Sequence, residues 1–368
     1  MTESQVIVQR TARAALRELS PLSAVREWEK SAAGYDRTIY RRLASLGWIE
    51  LLVPNDHRDV DRWIEAALIY EELGRSLFPS PLYATTVCAR LLAQFTKPGQ
   101  RPALIDPMLT GDITMSPAFW ERSAKSSLGA VQARGRRDGD TVVVDGEKRA
   151  VDFGHAVDRL LVAVALEADN ASRGLAVIDR SAAGVEAVRI DSLGGEPRAL
   201  VRLSDVRVAA DHLIPLTDTD LVEFDRTLRH LGLLRAAELL GVAGSALELA
   251  VTYANARTQY GRPVGAFQAV QHKLANCAIR LDLMRLSVSY AAWLLSEHLP
   301  SDSAVAEAVL KTGEMAQFVT AEAVQTHGGL GVIDNSVVSV YFRRAKSRQA
   351  EQGFPDVLRE RIAIELGL

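Results

Sequence analysis

Aromatic residues are scarce in this chain, at 6%, and cysteine appears only twice, as Cys88 and Cys277. Two distant thiols in no metal-binding spacing cannot build a disulfide framework, so both are expected to be buried thiols. The seven histidines contain no i, i+4 pair and no His-Glu-x-x-His run, which argues against a metal site. No stretch approaches the roughly 20 unbroken apolar residues of a membrane span. The opening MTESQVIVQRTARAALREL has no apolar signal core, and the expected compartment is the cytoplasm. A net charge of −3 offers no general basic surface to nucleic acid. The remainder, 48% apolar and 24% charged over 368 residues, is ordinary globular composition, long enough for two or three domains.

The texture changes twice. In residues 1–110 the segments ARAALREL, RTIYRRLASLGWIELL and DRWIEAALIYEELGRSL space apolar residues three and four apart, predicting helices that Pro54, Pro79, Pro81, Pro102 and Pro107 should end. Residues 111–218 carry short β-rich runs, TVVVDG, RLLVAVAL, LAVIDR, VEAVRI and ALVRLSDVRV, separated by Gly and Asp. Within them TVVVDGEKR predicts a hairpin with Asp145 and Gly146 at its turn. Residues 219–368 return to helix in two long proline-free runs, which pack best side by side as a four-helix bundle. The fold class is α+β, with an N-terminal helical domain, a small central β-domain and a C-terminal bundle.

Two segments carry most of the chemistry. RTQYGRPVGAFQAVQHKLAN, at 257–276, closes one long helix, turns on Gly and Pro and opens another. Arg257 offers a planar fork for a phosphate and Gln268 an amide near a helix start, although Arg257 could equally pair with a nearby acid. AVQTHGGLGVIDN, at 323–335, has three glycines in four residues after a helix. Such a loop admits a ligand or another backbone, or simply caps the helix. His272 and His327 flank these segments; each could touch a phosphate, but a packed or solvated side chain is the plainer reading. The ARGRRDG run at 133–139 reads as a solvated turn.

In order and position the two segments resemble the acyl-CoA dehydrogenase family, whose C-terminal domain carries Arg-x-x-Phe-Gly followed by Gln, and then Gln-x-x-Gly-Gly-x-Gly. LGWIELLVP and EELGRSLFPSPLY resemble its N-terminal domain, and DGEKRAVDFGHAVDRLLVAVA its central one. The resemblance implies FAD as cofactor. It implies that Arg257, Gln259, Tyr260, Gly261, Gln268, Gln325, Thr326, His327, Gly328 and Gly329 contact the FAD of a neighbouring subunit, and hence an oligomer. The implied reaction is α,β-dehydrogenation of an acyl-CoA thioester, with a carboxylate removing the α-proton, a hydride passing to the flavin, and an electron-transfer flavoprotein-like acceptor.

The resemblance fails on one side. In YFRRAKSRQAEQGF the family's catalytic glutamate position holds Gln352, and an amide accepts no proton. Glu351 lies one residue earlier, about 100° away around a helix. The alternative position on the preceding long helix falls near Leu231, with Glu238 two turns further on; its plainer reading is an ion pair. The Thr-Glu-Pro-x-x-Gly-Ser-Asp signature is replaced by TMSPAFWERSAKSS at 114–127. The Trp-Ile-Thr/Ser element becomes Ala150, Val151 and Asp152, and the Thr-Ser after the base becomes Phe354 and Pro355. Losses therefore fall on the flavin-ring side, while residues reaching a neighbour's FAD remain. This pattern is similar to actinobacterial steroid side-chain dehydrogenases of α2β2 form. It implies a catalytic acyl-CoA dehydrogenase paralogue as partner and a bulky steroid-like CoA ester as substrate. Two alternatives stay open: a homotetramer using Glu351 or Glu238 as base, and a non-flavin structural paralogue.

Overall fold

The computed structural model describes residues 1–54, 61–122, 128–166, 173–333, 336–351, 355–365 and 367. Its first layer is helical: α1 (Glu3–Leu19), α2 (Leu22–Lys30), α3 (Arg37–Ala44), α4 (Trp63–Ser76), α5 (Leu82–Phe95) and α6 (Arg101–Leu109). The run expected as one helix from Arg37 to Leu52 breaks after Ala44, because Gly47 adopts φ 79° and only a single 3₁₀ turn follows at Glu50–Leu52. Pro107 does not end a helix either. It lies inside α6, which forgoes one backbone hydrogen bond there and continues for two residues.

Strands follow: β1 (Met115–Ala118), β2 (Arg134–Asp138), β3 (Thr141–Asp152), β4 (Arg159–Leu166), β5 (Arg173–Asp179), β6 (Val185–Ile190), β7 (Arg198–Ala209) and β8 (Leu213–Leu216). They form one mixed sheet in the order β6-β7-β3-β2-β4-β5-β8, with β1 parallel to β4. The hairpin expected at Asp145–Gly146 is absent. β3 runs straight through, and Gly146, at φ 151°, marks a bulge where the register with β7 slips. A Cβ there would lie 2.6 Å from that of Ala133, so the glycine serves close strand packing rather than a turn. The actual turn joins β2 to β3 at Gly139, φ 59°, and the ARGRRDG run is largely strand β2.

The C-terminal layer comprises α7 (Asp218–Ala256), a short ribbon of β9 (Thr258–Gln259) and β10 (Arg262–Pro263), α8 (Gln268–Ser296), α9 (Asp302–His327), α10 (Gly329–Val332), α11 (Val337–Glu351) and α12 (Pro355–Glu365). Thr217 starts α7 with a capping box: its hydroxyl accepts from the Asp220 amide, while the Asp220 carboxylate accepts from the Thr217 amide. α7, α8, α9 and α11 pack together as the expected bundle.

α7 also crosses α4 at unusually short range. A Cβ on Gly74 would fall 1.9 Å from the carbonyl oxygen of Glu238, and one on Gly241 would fall 1.8 Å from that of Glu71. Two glycines, one per helix, thus let the backbones touch and fix the height of Glu238 against the N-terminal domain. Replacing Gly241 by Ala should raise helix propensity by about 1 kcal/mol yet destabilise the protein by about 1–3 kcal/mol or more, because helix backbone must move. Urea unfolding of Gly241→Ala against wild type checks this.

Candidate functional site

The two glycine-bearing segments meet at one end of the bundle. Tyr253, near the end of α7, stacks on His327, the last residue of α9, with ring centroids 4.4 Å apart. His327 Nδ1 also lies 2.8 Å from the Ala323 carbonyl. Arg257 caps α7, its amide donating to the Tyr253 carbonyl and its own carbonyl accepting from Val264 N–H at 2.8 Å. Tyr260 and Gly261, at φ 51° and 78°, make the tight turn between β9 and β10. Tyr260 stands edge-on to Phe267, over which Arg262 lies at 4.1 Å. Gln268 opens α8, which has no side-chain cap.

This end of the bundle is open. Arg257, Gln259, Tyr260, Gly261, Gln268, Gln325, Gly328 and Gly329 are exposed, Tyr260 to 93%, while Thr326 and His327 are half-buried. Gly328 holds φ 60° and ψ −140°, a conformation reserved for glycine, and among the described residues nothing lies within 4 Å of a Cβ built on it or on Gly329. Among the described residues Arg257 forms no ion pair, so its fork is available to an anion. Along α8, Ile279, Leu283, Leu286, Tyr290 and Trp293 recur at intervals of four and three and are all at least two-fifths exposed, an unpartnered apolar seam.

The candidate bases lie elsewhere, in a buried cluster joining all three layers. Glu238 accepts from Arg235 at 2.6 Å on its own helix and from Arg348 of α11 at 2.9 Å. Arg348 donates to Glu351 at 2.8 Å and also pairs with Glu196. Arg198 of β7 bridges Glu351 and Asp152, the latter at 2.7 Å, and Asp152 binds Arg235 at 3.1 Å. Arg344 extends the cluster to Glu29 of α2 at 3.0 Å. Arg235 in addition lies 3.8 Å over the ring of Tyr83 in α5. Burial alone would raise the carboxyls of Glu238 and Glu351. The surrounding arginines, Arg348 foremost, outweigh it and hold both far below the usual carboxylate range. Gln352 and Phe354 lie outside the described residues.

Both ends of the chain match family models, acyl-CoA dehydrogenase N-terminal domain over residues 2–112 and acyl-CoA dehydrogenase C-terminal domain over residues 224–367. The chain belongs to the acyl-CoA dehydrogenase family. It is 28% identical to a probable acyl-CoA dehydrogenase, YngJ, of Bacillus subtilis, across 99% of this chain and 98% of that one. Among solved structures it resembles a chain of the ChsE4-ChsE5 complex from Mycobacterium tuberculosis at 25% identity and TM-score 0.86, covering 100% and 98% of the two chains. It also resembles a chain of the Tcur3481-Tcur3483 steroid ACAD at 26% identity and TM-score 0.85, over 99% and 98%.

The positions where this acyl-CoA dehydrogenase relative departs from the family pattern are occupied by polar anchoring. Asp152 is tied into the cluster, and the backbone turns left-handed at Ala150, φ 52°. In the altered signature, Glu121 accepts from the amides of Gln132 and Ala133 and from the fully buried Lys148 at 2.5 Å; residues 123–127 lie outside the described residues. Little in the sequence warns of the cluster, because its arginines and acids are scattered from Glu29 to Glu351 and only Glu238 reads locally as an ion-pair partner.

Because Glu238 and Glu351 titrate below the unfolded value near 4.5, the stability they carry is complete above about pH 4.5 and fades as pH falls toward about 2. Glu29, raised mainly by burial, acts with the opposite sign and gains protonation in the fold. Glu238→Gln should cost about 3–5 kcal/mol at pH 7, since it strips a partner from two buried guanidiniums, and its stability should fall less steeply than wild type between about pH 4.5 and 2. Denaturant titrations at several pH values check both.

Proposed function

We propose that this chain is the non-catalytic subunit of a heteromeric, FAD-dependent acyl-CoA dehydrogenase, and that it completes the dinucleotide end of a flavin site carried by a catalytic paralogue. The observation that supports this reading is a separation: phosphate-type donors are open at the bundle end, whereas both candidate bases are locked under arginines. A general base works best with a pKa near the operating pH and a free lone pair directed at the substrate proton. Glu238 and Glu351 have neither, because guanidinium donors occupy both oxygens of Glu238 and hold Glu351 from two sides.

The open end fits a dinucleotide. Arg257 presents an unpaired planar fork, the uncapped start of α8 presents backbone amides, and Gly328–Gly329 leaves room for close backbone approach. FAD, when bound, accepts a hydride from the acyl-CoA. This chain's own part is to grip and orient the phosphate and adenosine end through Arg257, Gln268 and the Gln325–Gly329 segment, while the partner holds the ring and removes the proton. The apolar seam on α8 gives that partner a face to cover. An α2β2 assembly with one FAD per two chains follows, and the steroid ACAD and ChsE4-ChsE5 likenesses favour a bulky steroid-like CoA ester.

Purification with and without the candidate paralogue tests the reading through the flavin-to-protomer ratio. The chain alone should carry almost no FAD and the complex one per two chains. Arg257→Gln should weaken flavin retention by the complex about tenfold to a hundredfold, the loss of a charge-assisted hydrogen-bonding fork. A chain that alone binds one FAD per protomer and oxidises an acyl-CoA, losing about a hundredfold or more in rate on Glu238→Gln or Glu351→Gln, would establish the homotetramer instead. An inert, flavin-free complex would leave the structural paralogue.

A further inference from the structure

A cavity of about 420 Å³ opens between the corner joining α1 to α2 and the faces of α4, α7 and α11. None of the residues in the RTQYG and QTHGG segments lines it. Its acids are already matched. Glu72 is gripped by two nitrogens of Arg13 at 2.8 and 2.7 Å, and Glu248 by Arg75 at 2.5 Å. Arg17, on the last turn of α1, lines the same cavity and forms no ion pair among the described residues, which leaves one cation in excess.

Beside it lies Ser20. This residue is 3% exposed and its hydroxyl has no hydrogen-bond partner among the described residues, although its amide caps α1 by donating to the Leu16 carbonyl at 2.8 Å. A buried hydroxyl left unpaired costs about 1–3 kcal/mol, and in a cavity wall the economical partner is a ligand atom. The next two lining residues, Pro21 and Leu22, begin the nine-residue α2, whose N-cap is Pro21 and which therefore has no side-chain cap. An unpaired guanidinium, an unpaired hydroxyl and an uncapped helix start all donate, and the two acids in the wall are neutralised. Leu16, Leu22 and Leu249 supply an apolar wall alongside.

We propose that this cavity is a second ligand site, for a small organic molecule bearing an oxyanion, with Arg17, Ser20 Oγ and the first turn of α2 holding the anionic group. Phosphate and carboxylate share this chemistry, and the experiment separates them. The full chain, alone and in whatever complex it purifies with, is titrated with inorganic phosphate and separately with acetate, at constant ionic strength set by chloride, and thermal unfolding is followed. One of the two anions should give a saturable rise in Tm, assigning the head group. Arg17→Gln should weaken that response about tenfold or more. Ser20→Ala should leave Tm without ligand unchanged or slightly higher, because it removes an unpaired hydroxyl, yet weaken the response. Arg257→Gln should keep it, which excludes anion capture at the open end of α7. The proposal is overturned if neither anion shifts Tm, or if Arg17→Gln and Ser20→Ala respond as wild type does.

Discussion

The architecture turns on a buried cluster of four arginines, Arg198, Arg235, Arg344 and Arg348, set among five acids, Glu29, Asp152, Glu196, Glu238 and Glu351. Removing such charges from water costs several kcal/mol per ion, and apolar side chains of equal volume often stabilise a fold as well or better. Net stability is therefore a weak reason for the cluster. Its geometry offers a better one. Each arginine spans a boundary: Arg344 ties α11 to α2 and the β6–β7 connection, Arg348 ties α11 to that connection and to α7, Arg235 ties α7 to β3, and Arg198 ties β7 to the end of α11. A guanidinium fork tolerates little misalignment, so the cluster sets the register of three layers that apolar contact alone would leave free to slide.

The same cluster explains why Glu29 shifts in the opposite direction to Glu238 and Glu351. Five carboxylates face four guanidiniums, so one acid is in excess if all are ionised. Glu238 and Glu351 lie among several arginines and are driven down, whereas Glu29, at the edge with Arg344 as its nearest partner, is left with its burial largely uncompensated and is pushed up. Glu238 and Glu351, the two candidate bases, are held as anions by their arginines and for that reason are poor proton acceptors.

The α+β class and the helix–strand–helix order were legible because long proline-free helices and β-rich runs are local signals. What the sequence misled on was glycine and proline. Gly146 suggested a turn and is a bulge forced by the nearness of Ala133; Pro107 suggested a stop and is tolerated inside a nine-residue helix. In each case a contact with a distant segment, or the shortness of the element, overrode the local preference. Motif residues such as Arg257 and Gly328 could be picked out because each lies in a short contiguous segment that resembles a family motif. The cluster could not, since pairs such as Glu29 with Arg344 are separated by most of the chain.

The middle of α7 and its C-terminal end differ sharply in how far their charges are committed. In its middle, Gly241 seats against the Glu71 backbone and Glu238 is clamped from both sides, so the helix cannot shift or roll without breaking packing and ion pairs together. At its end, Arg257 and the ribbon beyond it project from that clamped core, exposed and with no ion pair among the described residues. A rigid stem with an uncommitted donor at its tip suits capture of a ligand presented by another molecule, because the ordering cost is met within the fold and not at binding. The middle of the helix offers no comparable freedom, because Arg235 and Glu238 are both held in ion pairs there.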